Sequence, residues 1–210
     1  MRFRPTIIVP AAGRGTRFGG PLHKLAQAFD GSTVLGTTVR HAIESQLPVV
    51  VVTTAELAPL VAGLLAMRDI GVLSAAEAAR GMGATIATGV AERSGAPGWL
   101  VLPGDMPLVQ PGTLLAVASA LEQHPVAYAQ YRGHRGHPVA FAGELYSELI
   151  QLNGDDGARR VMLRYPAHGQ DVDDPGVIQD VDDAGVVQDV DTPADLEAAR
   201  SVTARAQSAE

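Results

Sequence analysis

The sequence predicts an α/β fold with a parallel sheet, because short apolar runs alternate with longer helical stretches along most of the chain. A glycine-rich segment directly follows the first apolar run, and a turn containing Gly104 and Asp105 follows a later one. Ligands of open α/β sheets bind at the carboxyl ends of the strands. If the two strands are neighbours, we expect both turns to line one crevice.

The individual elements are assigned from this alternation. The predicted strands are Thr6–Pro10, Val49–Thr53, Asp69–Leu73, Trp99–Pro103, Val126–Gln130, Pro138–Ala142 and the valine pairs between Gly176 and Val190. The predicted helices are Val34–Ser45, Glu56–Met67, Ala84–Arg93, Gly112–Gln123 and Ala194–Ala204, the last with Thr192 as N-cap and Pro193 at its first position. We expect a single domain over residues 1–204 and a frayed tail over residues 205–210.

Composition excludes several classes of protein. The 210 residues include no cysteine, so disulfides, zinc–thiolate sites and cysteine catalysis are excluded, and a reducing cytoplasm is favoured. A net charge of −7 disfavours nucleic-acid binding as the main role. We expect no signal peptide and no membrane span, and therefore a cytoplasmic protein.

The chain contains one lysine, Lys24, against fifteen arginines, and it follows the glycine-rich segment. An ammonium group is a compact point charge, whereas guanidinium is a planar fork, so this lysine is predicted to contact a phosphate oxygen. Backbone N–H groups beside Gly13 and Gly15 would approach an anion closely. The loop is neither a Walker loop nor a dinucleotide fingerprint, since no Gly-Lys-Ser or Gly-Lys-Thr follows and Phe18 stands where the fingerprint needs glycine. The segment predicts a polyphosphate cradle.

The glycine-rich segment, Pro10-Ala11-Ala12-Gly13-Arg14-Gly15-Thr16-Arg17, resembles the signature loop of nucleotidyltransferases that make activated sugars, activated alcohols and molybdenum-cofactor dinucleotides. In that family Leu-Ala-Ala-Gly-x-Gly-x-Arg is followed by a lysine. The resemblance implies a three-layer, Rossmann-like (GT-A-like) nucleotidyltransferase fold with a mostly parallel mixed sheet. It also implies that Arg17 and Lys24 steady the leaving phosphates, and that the backbone of Ala11, Ala12 and Gly13 reads the base. Arg14 either assists them or is exposed, while Gly15 and Thr16 complete the loop.

Two carboxylate motifs are candidates for a metal site. Asp105 follows a predicted strand; it either caps a helix or forms a turn, or it holds the Mg²⁺ that a nucleoside triphosphate requires. The resemblance favours the metal, because these families carry Gly-Asp-x-Pro here and its aspartate is a ligand. Asp189-Val190-Asp191-Thr192-Pro193 is similar to the Asp-Ile-Asp-Thr-Pro string of the molybdenum-cofactor branch. Asp189 and Asp191 share a strand face, and Asp191 is slightly favoured as the second ligand.

A nine-residue repeat precedes this motif. Gln170-Asp-Val-Asp-Asp-Pro-Gly-Val-Ile is followed by Gln179-Asp-Val-Asp-Asp-Ala-Gly-Val-Val and then by Gln188-Asp-Val-Asp-Thr-Pro. The calcium-binding nonapeptide pattern is absent, so a tandem duplication is favoured. We interpret the aspartates from Asp171 to Asp183 as a solvated acidic edge.

Three further segments resemble the same family. Gly81 lies in Arg80-Gly-Met-Gly-Ala-Thr, similar to a Gly-Met-Ser-x-Ser segment near the base and ribose, although Gly83 and Ala84 replace the expected residues. His137 lies in Gly133-His-Arg-Gly-His-Pro-Val, similar to the molybdopterin cytidylyltransferases, and would face the acceptor. A metal pair with His134 is a less favoured alternative. Arg159 lies in Gly154-Asp-Asp-Gly-Ala-Arg and would contact the acceptor phosphate.

The resemblance implies a Mg²⁺-dependent nucleotidyl transfer, with CTP and molybdopterin favoured and a molybdoenzyme or its chaperone as a further partner. The spacing from Arg17 to Lys24 is instead that of sugar and isoprenoid-precursor enzymes, so a sugar phosphate or methylerythritol phosphate is the alternative acceptor. His23 also stands where proline commonly precedes the lysine. A non-catalytic protein that binds a nucleotide or the molybdenum cofactor is the alternative of another class.

Overall fold

The computed structural model describes residues 3–13 and 22–178 of the chain. Its strands are β1 (Thr6–Ala11), β2 (Ala28–Phe29), β3 (Ser32–Thr33), β4 (Val49–Thr54), β5 (Ile70–Leu73), β6 (Gly98–Val101), β7 (Val126–Tyr131), β8 (His134–Ala142) and β9 (Ala167–Asp171). Its α-helices are α1 (Val34–Glu44), α2 (Ala75–Ala78), α3 (Met82–Glu92), α4 (Pro111–Ala120), α5 (Tyr146–Leu149) and α6 (Arg159–Arg164). Strands β2 and β3 form a small antiparallel ribbon, and the others form one sheet.

The main sheet has seven strands in the order β5-β4-β1-β6-β8-β7-β9. The pairs β5–β4, β4–β1, β1–β6 and β7–β9 are parallel, whereas β6–β8 and β8–β7 are antiparallel. The predicted α/β class with a mostly parallel mixed sheet is therefore confirmed. The condition set on the two turns is also met, because β1 and β6 are direct neighbours.

Central strands are buried on both faces, which explains their unbroken apolar sequences. Along β1, Ile7 and Val9 pack into one hydrophobic cluster, and Ile8 packs into a second. The first cluster includes residues of α1 and α4, and the second includes residues of α3, α5 and α6. Side chains alternate across a strand, so the sheet separates two helical layers.

Local sequence signals fix where several helices begin. Thr33 precedes α1 and its hydroxyl oxygen accepts a hydrogen bond from the Gly36 amide at 3.0 Å. Ser74 and Glu77 form a reciprocal capping box around the start of α2. Pro111 occupies the first turn of α4, where its missing N–H is not needed.

The helix predicted over Glu56–Met67 is wrong. This segment consists of turns with 3₁₀ helices at Ala58–Leu60 and Met67–Asp69. Pro59 lacks a backbone N–H, and Gly63 has a high conformational entropy in the unfolded chain, so both weaken a continuous helix. Leu57 and Val61 are both buried apolar residues, and their separation by four positions resembles the spacing along one face of a helix.

The first copy of the nine-residue repeat is an integral part of the fold. Asp174 is 5% exposed, and its carboxylate accepts hydrogen bonds from the Gln110 amide at 2.9 Å and the Thr113 hydroxyl at 2.6 Å. Those donors lie at the start of α4, so Asp174 caps this helix from another segment. The interpretation as a solvated acidic edge is wrong for Asp174, although Asp171 is exposed.

The strand predicted for the first valine pair after Gly176 is wrong. A short 3₁₀ helix, Pro175–Val177, stands there and leads to Ile178, which forms only an isolated antiparallel bridge with Gly136. The other predicted strands of the repeat, the helix Ala194–Ala204 and the tail 205–210 lie outside the described residues. No helix in the described part of the chain is long and apolar enough to cross a membrane.

Candidate active site

The described beginning of the glycine-rich segment, residues 10–13, and the Gly104–Asp105 turn lie at one edge of the sheet. Parallel pairing of β1 with β6 brings their carboxyl ends together, and the alignment continues beyond the strands. The Leu102 amide donates to the Ile8 carbonyl at 3.0 Å, and the Gly104 amide donates to the Pro10 carbonyl at 3.2 Å. The chain after β6 therefore stays attached to β1 up to the residue before Asp105.

Lys24 meets Asp105 at this edge. Its Nζ atom lies 2.5 Å from Asp105 Oδ2, and the two side chains are only 12% and 14% exposed. Lys24 begins a 3₁₀ helix, Lys24–Ala26, whose Leu25 is anchored in the hydrophobic cluster beside α1. An ion pair so little exposed is screened less by water and salt than a surface pair. The two charges are thus held at a defined position.

The backbone beside Asp105 is fixed by helix α1. The oxygen of the fully buried Thr38 hydroxyl lies 3.1 Å from the Gly104 carbonyl oxygen and 3.0 Å from the Val34 carbonyl oxygen, so the two carbonyls share its one proton. Ala11, the last residue of β1, is fixed in a similar way, because the Thr53 hydroxyl donates a hydrogen bond to its carbonyl at 3.0 Å. Buried hydroxyl groups thus orient both chain segments that leave the sheet.

A cavity of about 350 Å³ lies next to this edge, on the face of the sheet that carries α3. Pro103, two residues before Asp105, is part of its wall. The apolar lining residues are Met82, Ile86, Val101, Pro103, Val139, Phe141, Ala158 and Met162, and the remaining ones are Arg135, Gly136, His137, Asp155, Asp156, Gly157 and Arg159. This is the size and mixture of apolar and polar groups typical of a small-molecule site.

His137 and Arg159 both line this cavity. Strand β8 runs antiparallel to β6 with Val139 opposite Val101, so its amino-terminal part reaches the edge where β6 ends. Burial lowers the pKa of His137 to about 4, because desolvation disfavours the imidazolium. His137 is therefore neutral near pH 7, and the charged groups of the cavity are Arg135 and Arg159 together with Asp155 and Asp156.

Arg135 is a cation in the cavity lining that was not among the candidate site residues predicted from the sequence. Its guanidinium lies 4.3 Å from the centroid of the Tyr128 ring on the adjacent strand β7. Stacking on an aromatic face orients guanidinium without neutralising it. Arg135 lies two residues before His137 in the segment that begins at Gly133, and this position is the sequence feature from which its place in the cavity could have been predicted.

Gly81 lies at the start of α3, where a second loop packs closely against it. Its φ of +89° favours glycine, and an added Cβ would lie 2.5 Å from Asp155 Oδ1. The Gly83 amide donates to the Gly154 carbonyl at 2.8 Å, and the Gly154 amide donates to the Arg80 carbonyl at 2.9 Å. These bonds attach the loop containing Asp155 and Asp156 to α3 and bring it to the cavity.

The structure brings the described candidate residues into two groups. Lys24 and Asp105 meet at the sheet edge, and a ring nitrogen of His23 lies 2.8 Å from the Gly13 carbonyl. His137 and Arg159 meet in the cavity. Ala11 and Ala12 are buried at the end of β1, and Gly13 is exposed. The remaining candidates, Arg14, Gly15, Thr16, Arg17, Asp189 and Asp191, lie outside the described residues.

Comparisons with known proteins agree with this architecture. The family model of the MobA-like NTP transferase domain matches residues 7–170. The structure of Rv0371c from Mycobacterium tuberculosis is similar at 26% identity and a TM-score of 0.74, covering 94% of this chain and 98% of that one. Its complex with manganese is similar at 24% identity and a TM-score of 0.73, with the same coverage. A comparison with curated proteins found no match.

Two further solved structures share the fold at lower identity. Mth528, a nucleotidyl transferase from Methanothermobacter thermautotrophicus, has 23% identity and a TM-score of 0.78, covering 97% of this chain and 99% of that one. A 4-diphosphocytidyl-2C-methyl-D-erythritol synthase from Anaerococcus prevotii has 13% identity and a TM-score of 0.63, with 96% and 99% covered.

The mixed sheet and the family match together place the protein in the class of nucleotidyltransferases. The family match covers well over half of the sequence. The chain belongs to the family of MobA-like NTP transferase domains.

Proposed function

We propose that this protein transfers a nucleotidyl group from a nucleoside triphosphate, with CTP favoured, to a phosphorylated acceptor, with molybdopterin favoured. The observation that carries the proposal is the Lys24–Asp105 pair beside a cavity lined by two arginines. In this proposal the Lys24–Asp105 pair supplies groups for the triphosphate, and the cavity supplies space and charged groups for the acceptor.

In the proposed reaction an acceptor phosphate oxygen attacks the α-phosphorus of the nucleotide, and pyrophosphate leaves. A new P–O bond forms to the acceptor as the bond between the α-phosphorus and the bridging oxygen breaks. No covalent link to the protein is needed, so positioning and charge neutralisation carry the catalysis. Lys24 and Arg17 are proposed to stabilise the negative charge that develops on pyrophosphate.

Asp105 is the described residue that fits a divalent cation. Mg²⁺ binds proteins through one or two carboxylates and completes its shell with phosphate oxygens and water. The ammonium of Lys24 beside Asp105 supports this assignment, because a cation already occupies the adjacent position. The described residues contain no cluster of three or more potential ligands. The second proposed ligand, Asp191 or Asp189, lies outside them.

When bound, the ion would neutralise phosphate oxygens and make the α-phosphorus more electrophilic. The manganese complex of Rv0371c supports a divalent cation, with Mg²⁺ as the favoured one.

The cavity supports an acceptor with a flat or apolar body and an anionic end. Its inner wall includes Val101, Val139 and Phe141, all buried. Its charged groups are two arginines, Arg135 and Arg159, and two aspartates, Asp155 and Asp156, and the arginines are the groups that could bind an anion. Guanidinium pairs with phosphate through two parallel hydrogen bonds. A neutral His137 offers one donor and one acceptor rather than a charge. A heterocycle with a terminal phosphate, as in molybdopterin, matches this division.

Methylerythritol phosphate or a sugar phosphate is the second candidate acceptor. It is favoured by the spacing of Lys24 from the glycine loop and by the fold shared with the methylerythritol enzyme. A polyol would need more hydrogen-bonding groups than the apolar inner wall offers.

The test is pyrophosphate release with Mg²⁺, molybdopterin and each of CTP, GTP, ATP and UTP in turn. Release with CTP alone supports the full proposal, and release with another nucleotide corrects the base. Nucleotide binding without release leads to the same assay with methylerythritol phosphate and sugar phosphates. No release with any acceptor would favour a binding protein over an enzyme.

A further inference from the structure

His23 connects Gly13, which follows β1, to the turn that carries Lys24 through its imidazole ring. The Leu25 amide donates to His23 Nδ1 at 3.2 Å, so this nitrogen accepts a hydrogen bond at the start of the 3₁₀ helix Lys24–Ala26. The other ring nitrogen, Nε2, lies 2.8 Å from the carbonyl oxygen of Gly13. One side chain thus contacts the last residue described after β1 and the turn that carries Lys24.

Both contacts require the same protonation state. A neutral imidazole has one donor and one acceptor nitrogen. Since Nδ1 accepts from Leu25, Nε2 carries the proton and donates it to the Gly13 carbonyl. The two bonds are therefore mutually consistent only in the Nε2–H tautomer.

The surroundings of Gly13 make this contact significant. Gly13 is exposed, and among the described residues a Cβ atom added there would meet no other heavy atom within 4 Å. Glycine has no side chain that could anchor it, so the position of this residue depends on its backbone contacts. A hydrogen bond to the Gly13 carbonyl oxygen fixes the direction of that carbonyl group, because a peptide unit is rigid.

We propose that His23 is a positioning residue of the nucleotide site, which holds the Gly13 carbonyl and the Lys24 turn in one arrangement. The inference rests on the proposed function, because it assumes that Gly13 and Lys24 bind the triphosphate. His23 acts through Gly13 and Lys24 and touches neither reacting atom. With the ring in place, the Gly13 carbonyl and the Lys24 turn are preorganised, and less entropy is lost when nucleotide binds.

Two substitutions separate the two ring contacts. His23→Asn keeps an oxygen near the position of Nδ1, and asparagine is a good capping residue, but it removes the distant donor. His23→Gln places an amide donor near the position of Nε2 and removes the near acceptor. His23→Pro removes both contacts, and the φ of −57° at this residue is compatible with proline. His134→Asn, at an exposed histidine of β8, is the matched control.

The primary measurement is the dissociation constant of CTP, or of whichever nucleotide supports pyrophosphate release, together with KM, kcat and the thermal midpoint. We expect His23→Asn and His23→Pro to raise the dissociation constant and KM by about tenfold, the upper range for one net hydrogen bond. His23→Gln should recover most of this loss, within about threefold of the wild type, and kcat should change less than KM. His134→Asn should match the wild type.

Equal affinities of His23→Asn and His23→Gln would overturn the proposal, since the bond to Gly13 would then carry no function. Wild-type affinity in His23→Pro would overturn it as well. A fall in thermal midpoint without a change in affinity would assign His23 a structural role only.

The tautomer gives a test that needs no nucleotide. Ring ¹⁵N chemical shifts of His23 should report the Nε2–H form, and the Nδ1–H form would overturn the contact itself. Failure of the proposed function has a different signature. Nucleotide binding without pyrophosphate release removes the reaction but leaves the affinity comparison valid, whereas a wild-type protein that binds no nucleoside triphosphate overturns both.

Discussion

Lys24 Nζ and Asp105 Oδ2 lie 2.5 Å apart, although 81 positions separate the residues in sequence. The pair joins the segment that follows β1 to the turn that follows β6. The attraction between the two opposite charges offsets part of the free-energy cost of removing each from water. If nucleotide and Mg²⁺ bind here, Lys24 transfers to phosphate oxygens and Asp105 to the ion, so the pair preserves charge balance in their absence.

Asp105→Ala should lower the rate of nucleotidyl transfer by a hundredfold or more, on the order of 3 kcal/mol of transition-state stabilisation. The reason is loss of the proposed metal ligand next to Lys24. Initial rates of pyrophosphate release at saturating nucleotide measure the effect. Asp171→Asn is the matched control, since Asp171 is exposed on edge strand β9, and it should be nearly neutral. Near wild-type turnover in Asp105→Ala would remove Asp105 from the site.

Lys24→Arg should reduce kcat/KM by at least about tenfold despite the conserved charge. The Lys24 side chain is 12% exposed and in close contact with Asp105, and a planar guanidinium is larger than an ammonium. Steady-state kinetics with varied nucleotide measure the loss. Arg68→Lys, at a side chain that is 86% exposed, should have no effect. If Lys24→Arg proves silent, the single lysine of the chain has no special role in phosphate binding.

His137 should make the folded state less stable in mild acid. Its pKa is lowered from 6.5 to about 4, so between these values the unfolded chain binds a proton that the folded protein does not. Stability is therefore complete above pH 6.5 and falls by up to about 3 kcal/mol as the pH approaches 4. Urea unfolding at a series of pH values measures this slope. His137→Gln should reduce the slope over that interval, and an unchanged slope would contradict the lowered pKa.

Gly83→Ser, which introduces the serine common in the family, should destabilise this protein by about 1–3 kcal/mol. An added Cβ at Gly83 would lie 2.7 Å from the Asn153 amide nitrogen and 2.9 Å from its carbonyl carbon, and both are backbone atoms. Denaturant unfolding measures the change. Gly112→Ser provides the comparison, because a Cβ there meets nothing within 4 Å. Equal stability of the two variants would show that the Asn153 loop moves at little cost.

Asp174→Ala should cost about 2–3 kcal/mol of stability, because it removes the cap of α4 and leaves the buried Thr113 hydroxyl without its acceptor. Asp173→Ala, at the exposed neighbouring aspartate, should change stability by less than about 0.5 kcal/mol. Chemical unfolding of both variants gives the comparison. Similar values for the two would mean that Asp174 contributes little as a cap.

The sequence predicted the central sheet well, because strands such as β1 and β4 are buried on both faces and therefore have unbroken apolar sequences. Strand β9 was missed, since Ala167–Asp171 contains mainly polar residues and lies at an edge of the sheet. Helix α6 was also missed, because its six residues are too few to show a helical period. The helix predicted over Glu56–Met67 does not form despite its helix-like spacing of apolar residues, because Pro59 weakens a continuous helix.

The candidate site was predictable where a motif specified both residue type and position. Lys24, Asp105, His137 and Arg159 were all named from sequence; the structure brings Lys24 to Asp105 and places His137 and Arg159 in the lining of one cavity, and their roles stay predictions. The contribution of Gly83 was not predictable, because it depends on the backbone of Asn153, seventy residues away in the chain. The link between His23 and Gly13 was missed for a related reason: no sequence rule gives the position of an imidazole ring.

The reversal of strand direction at β6 divides the sheet into a parallel and an antiparallel part, to which the proposed function gives separate tasks. The parallel part supports the proposed donor-nucleotide groups at strand ends, whereas the antiparallel pair β6–β8 supports the cavity with the beginning of a strand. The two parts share both hydrophobic clusters, but the Lys24–Asp105 pair and the arginines of the cavity lie on different segments. If the substrates bind as proposed, Arg135 and Arg159 can be replaced without changing the Lys24–Asp105 pair, and a single scaffold can yield enzymes that differ in only one of their two substrates.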